Sequence, residues 1–587
     1  MEKWFIKNKK ADTALIAKQF GISEVLAQLI VNREIKSNQQ LEEYINPSLE
    51  NLHNPKLMKD IDSACNILIE KINNKKPIRI IGDYDVDGVM STYELYTALS
   101  RCGALVDYEI PDRIKDGYGI NLSIIKEAQQ DGIDTIITCD NGIAASVEIN
   151  TAKELGMTVI ITDHHDVPHQ GEGEERIYVV PNADAVVNPK QEDCQYPFSS
   201  VCGAVVAYKL IEVLYEKFHI EKSASRELLE FAAIATVCDV MDLTDENRII
   251  VKNGLKELEN TNNLGLRALL EETGLSDKEL SVYHLGFVIG PCINASGRLE
   301  SAKLGLKMLL SNSMDEANEL AKQLKELNDQ RKELTAKGLQ DAIEQIEQTS
   351  LMMDKVLVVH LTDCHESLAG IIAGRIRERY NKPAIVLTNC EEGVKGSGRS
   401  IEQYHMFDEL SKCKDILNRF GGHPMAAGMS LDDDKVAELR QRLNVQTTLV
   451  EDDFIAKVTA DMVLPLEQLN FSLIREINLL EPYGKGNSKP LFALKDVKLQ
   501  KAQILGANRN VLKLTVSTAA KSNTYCAMIF GNIEPFETYV CEKYSRSDLE
   551  DLYLGKQNPI CLDMIYYPSI NEYNGYENIQ IIVQNYR

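Results

Sequence analysis

Short apolar runs alternate with amphipathic stretches from Lys76 to Thr162. Pro77-Ile78-Arg79-Ile80-Ile81-Gly82 is β-branched and apolar and ends at a turn residue, which predicts a buried strand. Helical spacing follows from Ser91 to Leu99. The alternation recurs, with a strand at Asp134 to Thr138, a helix at Ala144 to Leu155 and a strand at Met157 to Thr162. Such alternation means βαβ units and a parallel sheet, which takes its ligands at the carboxyl ends of its strands. A second βα region starts at Val356, with a helix from Leu368 to Tyr380 and a strand at Pro383 to Leu387. Between the two lies a helical pattern carried by Ala317, Leu320, Leu324, Leu327 and Leu334, continued by Ile343 and Ile346. It predicts a rigid connecting helix. From about Ala456 the pattern becomes short alternating strands at 511–516, 527–530 and 579–583, which suggests a small OB-like barrel.

The expected fold is therefore α/β: two α/β lobes, the first with a parallel sheet, joined by a long helix and followed by a C-terminal OB-like β-barrel. The expected boundaries are an N-terminal segment 1–59, a first lobe 60–312, a connecting helix 313–350, a second lobe 351–455 and the β-domain 456–587.

Composition narrows the functional classes. Of 587 residues 44% are hydrophobic and 26% charged, ordinary for a globular protein of several domains. The opening MEKWFIKNKK has no apolar core of a signal peptide and no run is long enough to span a bilayer, so a cytoplasmic protein without membrane association is expected. The 13 cysteines include no C-x-x-C pair, against a disulfide framework or a zinc ribbon. Cys139 and Cys238 each precede an aspartate, and filler beside a site explains them better than nucleophilic chemistry. The net charge of -24 opposes nucleic-acid binding unless a cleft is locally basic.

The densest chemical signal is Gly82-Asp83-Tyr84-Asp85-Val86-Asp87-Gly88, three aspartates directly after a strand. With Glu94 the spacing also fits an EF-hand loop, but that loop needs a leading helix, and a strand leads in here. Asp140 follows the second strand, Asp163-His164-His165 the third, and Asp239 another apolar run. Each alone reads as a cap or turn. Together they make an oxygen-rich set with one or two imidazoles, suited to Mn²⁺ or Mg²⁺ rather than Zn²⁺. The carboxylates outnumber the needs of one ion, so two are expected, an arrangement that suits phosphate-ester hydrolysis.

Asp163-His164-His165, with the order Asp-x-Asp, Asp, Asp-His-His, Asp, resembles the metal motifs of the DHH phosphoesterases. Within them the chain is most similar to the RecJ exonucleases, through IIGDYDVDGVMST, IPDRIKDGYGIN, TCDNGI, TDHH, Val187-Asn188-Pro189-Lys190 and Glu246-Asn247-Arg248. Ile293 to Leu299, Gly396-Ser397-Gly398-Arg399-Ser400, Gly421-Gly422-His423 and Leu480 to Asn487 extend the resemblance over nearly the whole chain. It implies that Asp83, Asp85, Asp87, Asp140, His164 and Asp239 hold or support two ions, with Asp163 and His165 in the catalytic set. It further implies a 5′-phosphate pocket of Arg113, Ser397 and Arg399, with Arg298 and His423 on the following backbone. The glycine-rich 396–400 segment is expected as a loop whose free N–H groups cradle phosphate. The implied activity is 5′-3′ exonucleolysis of single-stranded DNA in repair and recombination. A monomer is expected, with single-strand-binding protein and a RecQ-type helicase as further partners. Cys364-His365-Glu366-Ser367 departs from the family's Trp-His-x-Gly and is left without a role. Two alternatives remain: a DHH enzyme acting on nano-RNA, cyclic dinucleotides or pyrophosphate, and a catalytically inactive DNA-binding scaffold.

Overall fold

The computed structural model describes residues 2–35, 37–113, 117, 119–171, 176–390, 393–518, 524–573 and 575–587. Ile114-Lys115-Asp116 and Tyr118, in the IPDRIKDGYGIN segment, lie outside the described residues. The chain forms two compact units, Ser48–Ile455 and Met1–Pro47 with Ala456–Arg587.

The larger unit begins with a five-stranded parallel sheet of β1 (Pro77–Ile81), β2 (Leu105–Glu109), β3 (Thr135–Cys139), β4 (Thr158–Thr162) and β5 (Ala185–Val187), in spatial order 2-1-3-4-5. Side chains of successive strand residues leave opposite faces. Ile78, Ile80, Ile137 and Ile160 therefore enter one core, and Ile81, Ile136, Val159 and Ile161 the other. The order reverses direction between β1 and β3, so connections leave these two strands toward opposite faces and open a crevice at their carboxyl ends. The first core is completed by α1 (Val86–Arg101), α2 (Gly203–Lys217), α3 (Leu229–Cys238) and α4 (Asp245–Glu259).

α5 (Gly290–Leu299) leads toward α6 (Met314–Glu347), the connecting helix of 34 residues and about 51 Å. Its first half buries Ala317, Ala321 and Leu324 in the first lobe's core, its second half Ala342 and Ile346 in the second's. Leu334, expected on the apolar face, is exposed. The buried stripe passes instead through Asn328 and Gly338, where a Cβ would stand 2.7 Å from Ile372 Cδ1.

The second lobe is a mixed sheet of β6 (Leu357–His360), β7 (Ala384–Cys390), β8 (Gly393–Arg399), β9 (Arg419–His423) and β10 (Ala426–Leu431), in order 9-10-8-7-6. Gly396-Ser397-Gly398-Arg399 is thus strand and not loop. It is paired antiparallel to β7 on one side and to β10 on the other. A strand flanked on both sides spends its backbone N–H groups on the ladder, so the expected backbone cradle does not form and the segment offers a ligand only its Ser397 and Arg399 side chains. Gly421-Gly422-His423 likewise lies in β9.

In the smaller unit Phe492–Leu505, Val511–Ser517, Thr524–Phe530, Tyr576–Tyr586 and Cys561–Tyr573 pair in sequence around a ring that closes between the first and last. This is an OB-like closed barrel. Residues 1–47 belong to it: Lys3–Ile6 pairs parallel with Lys457–Ala460, and Leu26, Leu29, Ile30 and Leu41 share the barrel's core. Among the described residues no single helix is long and apolar enough to cross a membrane.

Candidate active site

The carboxyl ends of β1, β3 and β4 deliver Asp83, Asp140 and Asp163 into the crevice, and the C-terminus of α3 adds Asp239. Local glycines make the first turn possible. A Cβ on Gly88 would lie 2.4 Å from the Asp83 carbonyl oxygen, and one on Gly203 2.7 Å from Asp140 Cβ. Asp140 adopts a left-handed backbone (φ 61°), which aspartate tolerates better than most residues.

The aspartates have distinct duties. Asp85 caps α1, its Oδ1 accepting from the Gly88 N–H at 3.1 Å. Asp87, two residues on and buried, accepts from the N–H groups of Gly203 and Ala204 at 2.6 and 2.7 Å, so it also caps α2. Asp163 is fully committed. Its Oδ1 accepts from the backbone of His164 and His165 and lies 2.8 Å from His165 Nδ1, and its Oδ2 accepts from Ile143. It orients the histidine pair, and both of its oxygens are already engaged.

Three overlapping groups can hold cations: Asp83 with Asp85 and Asp140, Asp87 with His164 and Asp239, and Asp140 with His164 and His165. Asp140 and His164 each belong to two of them, and of the pair only Asp140 has two carboxylate oxygens to offer. His164 Nε2 stands 3.1 Å from Asp140 Oδ1, 3.6 Å from Asp87 Oδ2 and 3.7 Å from Asp239 Oδ2. Buried as it is, neither His164 nitrogen makes a hydrogen bond among the described residues, nor does Asp83 Oδ1. Buried polar atoms are normally satisfied, and no lysine or arginine among the described residues pairs with Asp83, Asp85, Asp87 or Asp239. A carboxylate-rich set with an unprotonated imidazole nitrogen fits hard divalent ions.

The electrostatics agree. Burial, then Asp85, pushes the Asp83 carboxyl well above the usual range, and burial with Asp87, Asp85 and Asp83 does the same to Asp140. Asp239 is pushed up to about 8 by burial and by Asp87 and Asp85. Burial lowers His164. At His165 burial acts downward, but the Asp163 carboxylate, with Asp239 and Asp87 behind it, outweighs this and raises the imidazole to about 9. Crowded carboxylates of this kind are relieved by a bound cation. Burial keeps the Cys139 and Cys238 thiols protonated, as filler.

Arg113, Arg298, Ser397 and Arg399 line one cavity of about 300 Å³ with Lys395, Glu366, Ser367, Gly370 and Ile371. Arg113, Arg298 and Arg399 form no ion pair among the described residues. Burial, then Arg113 and Arg331, lowers Arg298 to about 10, and burial with Arg113 and Arg377 lowers Arg399. Three half-buried guanidiniums converge here, and the one carboxylate in the lining, Glu366, is paired with Lys395, so the arginines make an anion site. Of Cys364-His365-Glu366-Ser367, assigned no role from sequence, the last two residues line it: the Ser367 carbonyl accepts from Arg298 Nη1 at 2.7 Å and Glu366 pairs with Lys395 at 2.9 Å. His423 does not line this cavity. It lies close enough to Asp166 to help lower that carboxyl, whose main partner is Lys190.

The family model for the DHH family N-terminal domain matches residues 77–236, that for the DHHA1 domain 353–447, and that for the RecJ OB domain 460–585. The single-stranded-DNA-specific exonuclease RecJ of Bacillus subtilis (strain 168) is 35% identical over 589 residues, covering 99% of this chain and 70% of that one. The Escherichia coli (strain K12) RecJ is 30% identical over 584 residues, covering 96% and 95%. The chain belongs to the RecJ family. The crystal structure of Thermus thermophilus RecJ in complex with Mn²⁺ superposes with a TM-score of 0.81 at 26% identity, covering 100% of this chain and 79% of that one. The Mg²⁺ complex gives 0.75 at 25% identity, covering 100% and 78%.

Several parts of the RecJ-family site carry no signal in the residue types. Gly203 and Ala204 act through backbone N–H groups. Asn141 Nδ2 ties the carbonyls of Ile81 and Cys139, locking the ends of β1 and β3 together. Asn188, in the Val-Asn-Pro-Lys motif, donates to the His165 carbonyl at 3.0 Å. Only membership of the TCDNGI and Val-Asn-Pro-Lys motifs hinted at the two asparagines.

Proposed function

We propose that this RecJ-family chain is an exonuclease specific for single-stranded DNA that hydrolyses phosphodiesters from a free 5′ end. Two divalent ions, Mn²⁺ or Mg²⁺, are held by Asp83, Asp85, Asp87, Asp140, His164 and Asp239. When bound, they supply an activated water and neutralise charge on the phosphoryl oxygens. The carrying observation is that the cation-lined cavity adjoins the first metal motif: Arg113 both lines the cavity and lies over Tyr84, between Asp83 and Asp85.

The protein's own groups divide the remaining work. Arg113, Arg298, Ser397 and Arg399 bind a terminal phosphate, whose monoester charge exceeds that of an internal diester. His423 holds the backbone that follows. Asp163 fixes the His165 ring at the edge of the metal set. The Mn²⁺ and Mg²⁺ complexes of Thermus thermophilus RecJ support the choice of ions. The OB-like barrel favours this reading over a DHH enzyme for nano-RNA or cyclic dinucleotides, and the complete carboxylate set favours it over an inactive scaffold. By resemblance to RecJ the enzyme works as a cytoplasmic monomer in repair and recombination, with single-strand-binding protein and a RecQ-type helicase as partners.

The test is a nuclease assay on oligonucleotides labelled at either end, linear and circular, with Mn²⁺, Mg²⁺ or EDTA. Metal-dependent release of nucleotides from the 5′ end of linear single strands is expected. Cutting of the circle, or activity in EDTA, overturns the reading.

A further inference from the structure

Asn247 belongs to the Glu246-Asn247-Arg248 motif, and the site described above does not use it. It is fully buried at the start of α4, between two segments that feed one metal group. Its Nδ2 donates to the Ser200 carbonyl at 2.7 Å and to the Asp242 carbonyl at 3.0 Å. Ser200 precedes Gly203 by three residues, and Gly203 holds Asp87. Asp242 follows Asp239 by three residues. Asp87 and Asp239 face His164 Nε2 at 3.6 and 3.7 Å. One side-chain amide therefore staples the two loops that carry opposite walls of this group.

The chemistry requires asparagine. Both partners are carbonyls, so the NH₂ and not the oxygen must face them, and it is the only part of the side chain with two donors. Asn247 Oδ1 has no hydrogen-bond partner among the described residues, so the side chain is held for its donors alone. Its neighbour fixes its place. Glu246 pairs with Lys209 at 3.0 Å and accepts from the Tyr196 hydroxyl at 2.6 Å, with both charges fully buried. Lys209 lies on α2, the helix whose first N–H groups hold Asp87. The staple is anchored to the frame it positions.

We propose that Asn247 is a positioning residue that sets the separation of Asp87 and Asp239 across His164, and so the affinity for one of two divalent ions. This rests on the two-ion reading above. Residues behind metal ligands typically account for about 10–100-fold in metal affinity.

The test is a titration of chelator-stripped full-length protein with Mn²⁺, following free Mn²⁺ by electron paramagnetic resonance. Wild type is expected to bind two ions. Asn247→Ala is expected to bind one ion about 10–100-fold more weakly and the other unchanged. At limiting Mn²⁺ its kcat falls while KM for an oligonucleotide holds, and excess Mn²⁺ restores kcat. A two-site isotherm that superposes on wild type, or equal weakening of both ions, overturns the proposal. Should Asn247→Ala not fold, Asn247→Ser, which keeps one donor, is titrated the same way. An intermediate loss at one ion supports the staple, and no loss overturns it. A wild type that binds fewer than two ions overturns the metal reading itself, whatever the variants do.

Discussion

The Arg113 guanidinium carbon lies 4.7 Å from the centre of the Tyr84 ring. Tyr84 sits between two metal-motif aspartates, and Arg113 lines the cation-rich cavity with residues of the second lobe. A cation over an aromatic face is attracted by the ring quadrupole, so on the proposed reading this contact sets the distance between end recognition and chemistry. In a nuclease that distance fixes where the first bond is cut. Replacing Tyr84 by leucine should leave metal binding intact but blur the cutting position, giving mixed product lengths on a gel where wild type gives one.

Arg399 should discriminate the 5′ terminus. A hydrogen bond to a charged group contributes about 1.5–3 kcal/mol, or roughly 10–150-fold. Arg399→Ala is expected to cut a 5′-phosphorylated oligonucleotide slower by that factor while a 5′-hydroxyl one changes little. Equal losses on both substrates would count against the pocket.

Asp140→Asn should abolish activity and metal-induced stabilisation together, because Asp140 is shared by two ligand groups. In chelator the same variant should melt higher than wild type. Neutralising a carboxyl already raised by burial and four neighbouring aspartates relieves repulsion on the order of 1 kcal/mol. Differential scanning calorimetry with and without Mn²⁺ reads both effects.

Glu230, away from the crevice, predicts a pH dependence of stability. Burial pushes its carboxyl up to about 7, against the bond it accepts from Thr261. The folded state then holds a proton that the unfolded state releases near pH 4.5, so stability falls as pH rises from that value through 7. Glu230→Gln should stabilise the larger unit at pH 8 by up to about 3 kcal/mol and have little effect at pH 4. Melting curves at the two pH values test the sign.

Removing the smaller unit requires removing both of its segments. Leu26, Leu29 and Ile30 share the barrel core, so deletion of 456–587 alone should leave an aggregating protein. A chain of residues 48–455 should stay folded and turn over very short oligonucleotides. Its affinity for long single strands should drop tenfold or more, since each stacked base is worth about 1–3 kcal/mol on an OB surface. Fluorescence anisotropy with strands of increasing length measures the difference.

Residue type and spacing were enough to nominate the carboxylates and imidazoles that the fold gathers. Asp83, Asp140 and Asp163 each follow an apolar strand run, and strand ends in a parallel sheet are where ligands gather. Carboxylates and imidazoles carry their chemistry in the side chain, so their candidacy is written in the sequence. Alternating patterns likewise announced the barrel and the connecting helix. Tertiary structure alone decided which segments meet. The order 2-1-3-4-5 sets β1 beside β3 and makes one crevice of two aspartate turns. Hydrophobic periodicity cannot encode that order, because it fixes the face a residue takes and not the strand it adjoins. The Gly203 and Ala204 N–H groups that hold Asp87 are peptide groups common to nearly every residue, and they act across more than a hundred positions of sequence. The glycines of 396–399 read as a loop by composition, yet pairing with β7 and β10 made them strand. Side-chain chemistry is local to a residue, whereas backbone partners and strand neighbours are properties of the folded chain.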